Sequence, residues 1–215
     1  MQTILLRLLV GLLLTGQLTT TPAQAESPTS VGSQEIIPAL PVEGDLVVAR
    51  RWEDGQGVNF LLLTRTPNQR LNNPDYPDMA FYSARLYGYH YVQGAGGLQL
   101  KRRITDFVDD CELDMTVAHI PPSIRITDLD GDGHSEVTFL YELACRGDVS
   151  PLTLKLMMLE DGEKYPIRGT TIVDVGNGER YGGEKQFGEE FANAPAGFRD
   201  FASQHWDRFV DTARR

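Results

Sequence analysis

The sequence predicts a mainly β domain, an antiparallel β-meander of hairpins followed by one C-terminal amphipathic α-helix. Two observations support this fold class. Pairs of segments rich in β-branched and aromatic residues flank short turns that contain Gly and Asp. Only the last part of the chain repeats its apolar residues at helical spacing. We divide the 215 residues into a signal peptide (1–25), a flexible leader (26–41) and a single β-rich domain (42–215).

The N-terminal segment has the features of a secretory signal peptide. Arg7 precedes an apolar run at 8–14, and residues 23–25 read Ala-Gln-Ala, the pattern of a cleavage site. The apolar run is too short to span a bilayer comfortably, although a membrane anchor stays open as the alternative. Residues 26–41 are rich in Ser, Pro, Thr and Gly, which predicts a flexible leader. We therefore expect a periplasmic or secreted protein with no membrane span in the mature chain.

Three hairpins are predicted in the middle of the chain, because β-rich segments there flank short turns. The paired segments are 45–52 with 58–64, 81–92 with 98–107, and 152–159 with 165–168. Residues 66–78 contain three prolines and predict a long surface loop. Segment 170–175 predicts a further strand, and the glycine-rich, charged segment 176–188 predicts a loop.

The C-terminal segment 195–212 predicts one amphipathic helix packed on the sheet. Pro195 suits a helix start, and the basic residues Arg214 and Arg215 suit a helix end. Its apolar face is made of Phe198, Phe201, Ala202, His205, Phe209 and Val210.

Charge and cysteine content limit the partners and the compartment. Lys and Arg number 20 against 30 Asp and Glu, a formal net charge of −10 at pH 7. An acidic chain has no electrostatic reason to bind nucleic acid or an anionic membrane surface. Cys111 and Cys145 form an even pair in a chain predicted to be exported, so we expect one disulfide between them. Two free thiols or a redox pair are the alternatives.

The run from Asp128 to Glu136 predicts a Ca²⁺ site. Acidic residues alternate along it, and Gly131 and Gly133 allow the backbone to bend around an ion. Ca²⁺ prefers six to eight oxygen ligands. The loop departs from the EF-hand, because loop position twelve is Phe139 and the flanking segments favour strands. The alternative is an acidic turn that binds no ion. The predicted ligands are the side chains of Asp128, Asp130, Asp132 and Glu136 and the backbone carbonyl of His134.

This run, with its DxDGDGxxE pattern, resembles the calcium loops of FG-GAP and VCBS repeats. The resemblance implies a strand–loop–strand site in which the acidic residues bind Ca²⁺. The pattern occurs once, whereas it usually recurs in a multi-blade propeller. The wider run DLDGDGHSEVTFLYELACRGDVSP resembles a poorly characterised family of exported bacterial proteins. Some members of that family are labelled surface polysaccharide biosynthesis proteins, which implies a connection with surface polysaccharide.

Several other side chains are candidates for binding or catalysis. Tyr87, Tyr89 and Tyr91 share one face of a predicted strand, where they either stack on sugar rings or pack across strands. His90 and His119 with Asp114 form a site only if the fold brings them together; otherwise these histidines are structural. The acidic stretch of Asp109, Asp110, Glu112 and Asp114 is read as a solvated turn, as extra ligands to the ion or as a glycosidase pair.

Two functions remain from these observations. The first is an exported, calcium-stabilised, non-catalytic module of the envelope that binds a partner protein or a glycan. The alternative is a secreted hydrolase that acts on polysaccharide and uses calcium structurally. The sequence contains no G-x-S-x-G, H-E-x-x-H or P-loop motif, so none of these three catalytic patterns supports the hydrolase.

Overall fold

The computed structural model describes residues 40–72 and 74–214. The predicted signal peptide and most of the predicted leader lie outside the described residues. The mainly β fold with a C-terminal helix is confirmed. The strands are β1 (Asp45–Asp54), β2 (Gly57–Arg65), β3 (Gln69–Leu71), β4 (Phe81–Gly94), β5 (Gly97–Cys111), β6 (Asp114–Thr127), β7 (Glu136–Arg146), β8 (Thr153–Glu160), β9 (Glu163–Thr170), β10 (Ile172–Gly176), β11 (Glu179–Gly182) and β12 (Lys185–Phe187). The α-helix is α1 (Phe198–Phe209), and 3-10 turns cover Glu189–Ala192 and Thr212–Arg214.

Two antiparallel sheets form the body of the molecule. In the first sheet β1 pairs with β2, β2 with β4, and β4 with β5, while the short β3 pairs with the first residues of β4. The second sheet has the strand order β12-β9-β8-β7-β6. Strands β10 and β11 form a separate two-stranded ribbon. The three predicted hairpins are confirmed as β1–β2, β4–β5 and β8–β9.

Two segments predicted as loops contain short strands, so those predictions were incomplete. Residues 66–78 include β3, because the chain stays alongside β4 and pairs Gln69 with Ser83. Residues 176–188 include β11 and β12. The close approach of the chain to β9 depends on Gly169, since a Cβ there would lie 1.8 Å from the Glu184 carbonyl oxygen.

The main core lies between the two sheets. Apolar side chains from alternate positions of each sheet meet there, as expected for strands with one inward face. Leu61 and Leu63 of the first sheet and Phe139 of the second are fully buried. Gly88 lets Phe139 approach the first sheet closely, because a Cβ at Gly88 would lie 2.9 Å from the Phe139 ring.

The C-terminal helix packs on the outer face of the second sheet. Phe198, Ala202 and Trp206 are buried there against apolar residues of β8 and β9. His205 is also buried, and its Nε2 lies 2.7 Å from the Ser123 carbonyl oxygen. The helix begins after Gly197, whose φ is 93°, and not at Pro195. Among the described residues, no helix is long and apolar enough to cross a membrane.

Residues 40–43 cover the tyrosine face of β4. Tyr87, Tyr89 and Tyr91 are each less than 4% exposed, and their hydroxyl groups contact Glu43 or Pro41. Their rings pack along the strand with centroids 5.9 Å and 6.3 Å apart. The packing alternative is therefore confirmed, and the sugar-stacking alternative is wrong because the chain itself occupies this face.

The predicted disulfide joins Cys111 and Cys145. Their Cα atoms are 5.6 Å apart, within the usual range for a disulfide. Cys111 ends β5 of the first sheet and Cys145 lies near the end of β7 of the second. The bond therefore joins the two sheets, a role that the sequence did not reveal.

Candidate metal centre

The acidic loop connects β6 to β7 at one end of the second sheet. Gly131 and Gly133 have φ values of 76° and 86°, a region in which other residues are strained. The loop bends around Asp128, whose carboxylate accepts hydrogen bonds from the N–H groups of Gly131 (2.8 Å) and Gly133 (3.2 Å). The two glycines thus make the bend that the sequence predicts.

Five carboxyl groups converge on this loop in two overlapping groups. Oxygens of Asp128, Asp130 and Glu136 lie within 4.8 Å of one another. Oxygens of Asp130, Asp132 and Glu160 do the same. The structure therefore brings together all four predicted side chains and adds a fifth from another strand. A set of carboxylate oxygens at this spacing suits a hard divalent cation.

Glu136 is the most deeply buried of the candidate ligands. Its side chain is fully buried and accepts a hydrogen bond from the Thr127 hydroxyl at 2.7 Å. The backbone N–H of Leu129 lies 3.1 Å from both of its carboxylate oxygens. These contacts fix the orientation of the carboxylate, which limits the entropy lost when it binds an ion.

Glu160, at the end of β8, is the residue that the sequence reading missed. Its side chain is 7% exposed, and its Oε1 atom has no hydrogen-bond partner among the described residues. It shares a hydrogen bond with Glu136. The signal that could have found it is strand order, because a meander places β8 beside β7. The observed register pairs Val137 with Leu159 and so places Glu160 next to Glu136.

The local charge disfavours this arrangement in the absence of a cation. Burial, followed by the nearby charges of Glu136, Asp130 and Asp132, raises the pKa of Glu160 well above its usual range. Burial also raises the pKa of Glu136, although hydrogen bonds to it act in the opposite direction. Two carboxyl groups that are desolvated side by side keep a proton between them unless a cation replaces it.

The turn between β1 and β2, in the first sheet, forms hydrogen bonds with the acidic loop of the second sheet. The Asp54 carboxylate accepts a hydrogen bond from the Ser135 N–H at 3.0 Å. The Gly55 N–H donates to the Gly133 carbonyl at 2.7 Å. A Cβ at Gly55 would lie 2.8 Å from that carbonyl oxygen, so glycine is needed here. The loop therefore bridges the two sheets at the end opposite the disulfide.

His134 points its side chain at the next turn. Its Nδ1 lies 3.1 Å from both carboxylate oxygens of Asp161, and this hydrogen bond is the main cause that raises the pKa of His134. Asp132, His134 and Asp161 form a third group of ligand-type atoms within 4.8 Å. The proposed role of the His134 backbone carbonyl as a ligand stays a prediction.

The acidic stretch from Asp109 to Asp114 lies where β5 ends and β6 begins, at the end of β6 opposite the acidic loop. Asp114 begins β6, whereas the loop follows the end of that strand at Thr127. Asp109 lies 3.5 Å from the exposed guanidinium of Arg85. The reading as extra ligands is therefore wrong, because a whole strand separates this turn from the loop.

His90 and His119 occupy separate places in the core. His90 Nε2 lies 2.8 Å from Asn59 Oδ1, and its ring stacks on Trp52. His119 Nε2 lies 3.1 Å from the Thr64 carbonyl oxygen. Burial lowers the pKa of both histidines to about 4, so both are neutral at pH 7. Their separate partners make them structural residues and not a shared site.

Comparison of the chain with protein-family models, with curated proteins and with solved structures finds no match. The function is therefore inferred from the chemistry of the chain alone.

Proposed function

We propose that this protein is an exported, non-catalytic binding module of the envelope whose fold is stabilised by one bound Ca²⁺. The observation that carries this proposal is Glu160, a buried carboxyl group with one oxygen unpartnered, placed against Glu136 and the loop aspartates. Burying a carboxylate without a partner costs several kcal/mol. A divalent cation among these oxygens offsets that cost, and the all-oxygen set favours Ca²⁺ over Zn²⁺.

The ion would act on the fold and not on a substrate. Glu136 is fully buried, and the loop lies between the end of β6, the start of β7 and the turn between β1 and β2. An ion held there would link the loop, β7 and β8 of the second sheet, and would fix the loop that the turn between β1 and β2 contacts. Its removal leaves a buried carboxyl pair that must take up a proton beside the loop aspartates, so the folded state loses stability.

Export is supported by two features of the chain. The N-terminal 25 residues fit a signal peptide by sequence, and the pairing of Cys111 with Cys145 suits an oxidising compartment. N-terminal sequencing of the protein from a periplasmic fraction tests this part, and the expected first residue is Glu26. An intact Met1 in the membrane fraction would support the anchor instead.

The hydrolase alternative gains no support from the site geometry. A glycosidase needs two carboxyl groups on either side of the scissile bond, one of them able to reach an attacking water or the sugar. The residues Glu136 and Glu160 are 0% and 7% exposed, so neither carboxyl group is open to a polysaccharide chain. We therefore keep the binding module as the proposed function.

Thermal unfolding with Ca²⁺, with Mg²⁺ and with chelator tests the proposed ion. A hundredfold excess of Ca²⁺ over Kd is expected to stabilise the fold by about 2.7 kcal/mol if the unfolded chain does not bind it. Asp130→Asn should remove most of this gain. Asp148→Asn, a matched loss of charge outside the loop, should keep it. Equal midpoints in Ca²⁺ and Mg²⁺ for the unmodified protein would show that the loop is an acidic turn.

A further inference from the structure

A polar cleft opens between β5 of the first sheet and strands β7 to β9 of the second. Its volume is about 590 Å³. Residues of β8 and β9 that share the inward face of the second sheet line one wall, and residues of β5 line the other. The four cationic side chains available to the cleft are Arg102, Lys155, Lys164 and Arg168. The Arg103 guanidinium points to the other face of β5, where it pairs with Glu43 and lies over the tyrosine rings.

This concentration of positive charge is unfavourable for the fold alone. Lys155 and Arg168 are directly opposite each other in the β8–β9 register, and like charges in that position repel. Asp106 contributes a carboxylate to the lining and lies between the Lys155 ammonium and the Tyr141 hydroxyl. The chain as a whole has a net charge of −10, so a cationic cleft is a local feature and not an effect of composition.

Several of the cations are available to a ligand. Among the described residues, no carboxylate forms an ion pair with Lys164 or Arg168. Arg102 lies 3.6 Å from Glu163, whose side chain is 71% exposed, so this pair is weak in water. Arg168 is itself exposed. A ligand that enters the cleft can therefore contact cations without breaking a buried ion pair.

We propose that the cleft binds a compact ligand that carries two or more anionic groups, phosphates or carboxylates, on a polar framework. Guanidinium groups bind both kinds of anion through paired hydrogen bonds. Tyr141 is 1% exposed and its hydroxyl donates to Asp106, so it offers no open ring for stacking a base. The acidic remainder of the surface repels a long polyanion, which favours a ligand that fits within the cleft. The inference deepens the proposed function, and rests on it, by naming the class of ligand that the module binds.

Titrations of the mature, disulfide-bonded protein with two charged probes and one neutral probe test this inference. The charged probes are pyrophosphate and digalacturonate, and the neutral probe is maltose. Saturable NMR shifts at β5, β8 and β9 with either charged probe, and none with maltose, support the proposal. A response to pyrophosphate alone identifies phosphate as the preferred group, and a response to digalacturonate alone identifies carboxylate. No saturation with either probe at millimolar concentration, or equal binding of maltose, would overturn it.

Matched variants identify the cleft as the binding site. Arg168→Gln and Lys164→Gln are each expected to weaken binding by about tenfold, because each removes a charge-assisted hydrogen bond. Arg70→Gln removes the same charge from the exposed strand β3 and should leave the affinity unchanged. Equal weakening by Arg70→Gln would mean that net charge and not the cleft controls binding. Repeating the titration in chelator separates this outcome from the calcium proposal, since the cleft contains none of the loop carboxylates.

Discussion

At Glu160 the folded chain keeps a buried carboxyl group beside a second one. Glu160 is the last residue of β8. Neither this strand nor the turn that follows requires a carboxyl group, because the amide of glutamine would fill the same space. The charge therefore makes sense through its partners, Glu136 and the aspartates of the loop. Loss of the Glu160 charge is therefore expected to have opposite effects on stability with and without the ion.

Glu160→Gln is expected to raise the stability of the protein in chelator, because it removes repulsion among the desolvated carboxylates. The same substitution should abolish most of the stabilisation by Ca²⁺, about 2.7 kcal/mol at a hundredfold excess over Kd. Thermal unfolding in Ca²⁺ and in chelator measures both effects. Glu163→Gln, in the same turn but 71% exposed at its side chain, is the control and should change neither. A variant that keeps the full calcium gain would remove Glu160 from the ligand set.

The buried histidines are expected to make the stability of the fold depend on pH. The ordinary pKa of His is about 6.5, and burial lowers the folded-state pKa of His90 and His119 to about 4. Between these values the unfolded chain binds more protons than the folded one. Stability is therefore expected to fall as the pH drops from about 6.5 to about 4, by up to roughly 3 kcal/mol for each histidine.

Urea denaturation at pH 7 and at pH 4.5 measures this loss. The comparison of the unmodified protein with His90→Gln isolates the share of one histidine, since Gln keeps a donor for the Asn59 oxygen but does not titrate. The difference in unfolding free energy between the two pH values should be smaller in the variant. The same difference in both proteins would show that His90 does not contribute.

At the scale of elements, local sequence patterns predict the hairpins and the helix well. Gly and Asp turns between β-rich segments predict β1–β2, β4–β5 and β8–β9, because these pairings are local in the chain. The short strands β3, β11 and β12 were missed. Strands β3 and β12 form because the chain is carried alongside β4 and β9, whereas β11 pairs with β10.

In the candidate site, too, the residues that are close in sequence were predicted and those that come from other strands were not. The aspartates of the loop and Glu136 are visible in the sequence because they lie within nine residues of one another. Asp54 and Glu160 come from two other turns, and their approach depends on strand register and on how the two sheets pack. The cationic cleft likewise depends on the position of β5 relative to β8 and β9, which no local pattern reveals.

The disulfide between Cys111 and Cys145 joins β5 to β7, and we expect its removal to destabilise the fold. It closes a segment of 34 residues, and its loss is expected to destabilise the fold by roughly 3–4 kcal/mol through the entropy of the unfolded chain. The variant is Cys111→Ala with Cys145→Ala, and the measurement is chemical denaturation. The reduced, unmodified protein is the control and should lose a similar amount. Equal stability of the variant and the oxidised protein would contradict this estimate.

For the whole molecule, the two sheets are joined at both ends. The disulfide lies at one end, and the acidic loop with its contacts to Asp54 and Gly55 lies at the other. The core of large apolar side chains fills the space between. If the sheets behave as one cooperative unit, the two junctions should act independently, because distant sites without shared partners are usually additive.

A cycle of four measurements tests this prediction: the oxidised protein and the double alanine variant, each with Ca²⁺ and with chelator. The stabilisation by Ca²⁺ should be the same in both proteins within about 0.5 kcal/mol. The disulfide acts by restricting the unfolded chain and the ion acts by binding the folded one, so neither should change the effect of the other. A calcium gain that changes by more than about 1 kcal/mol without the disulfide would mean that the sheets separate from one end before the core unfolds.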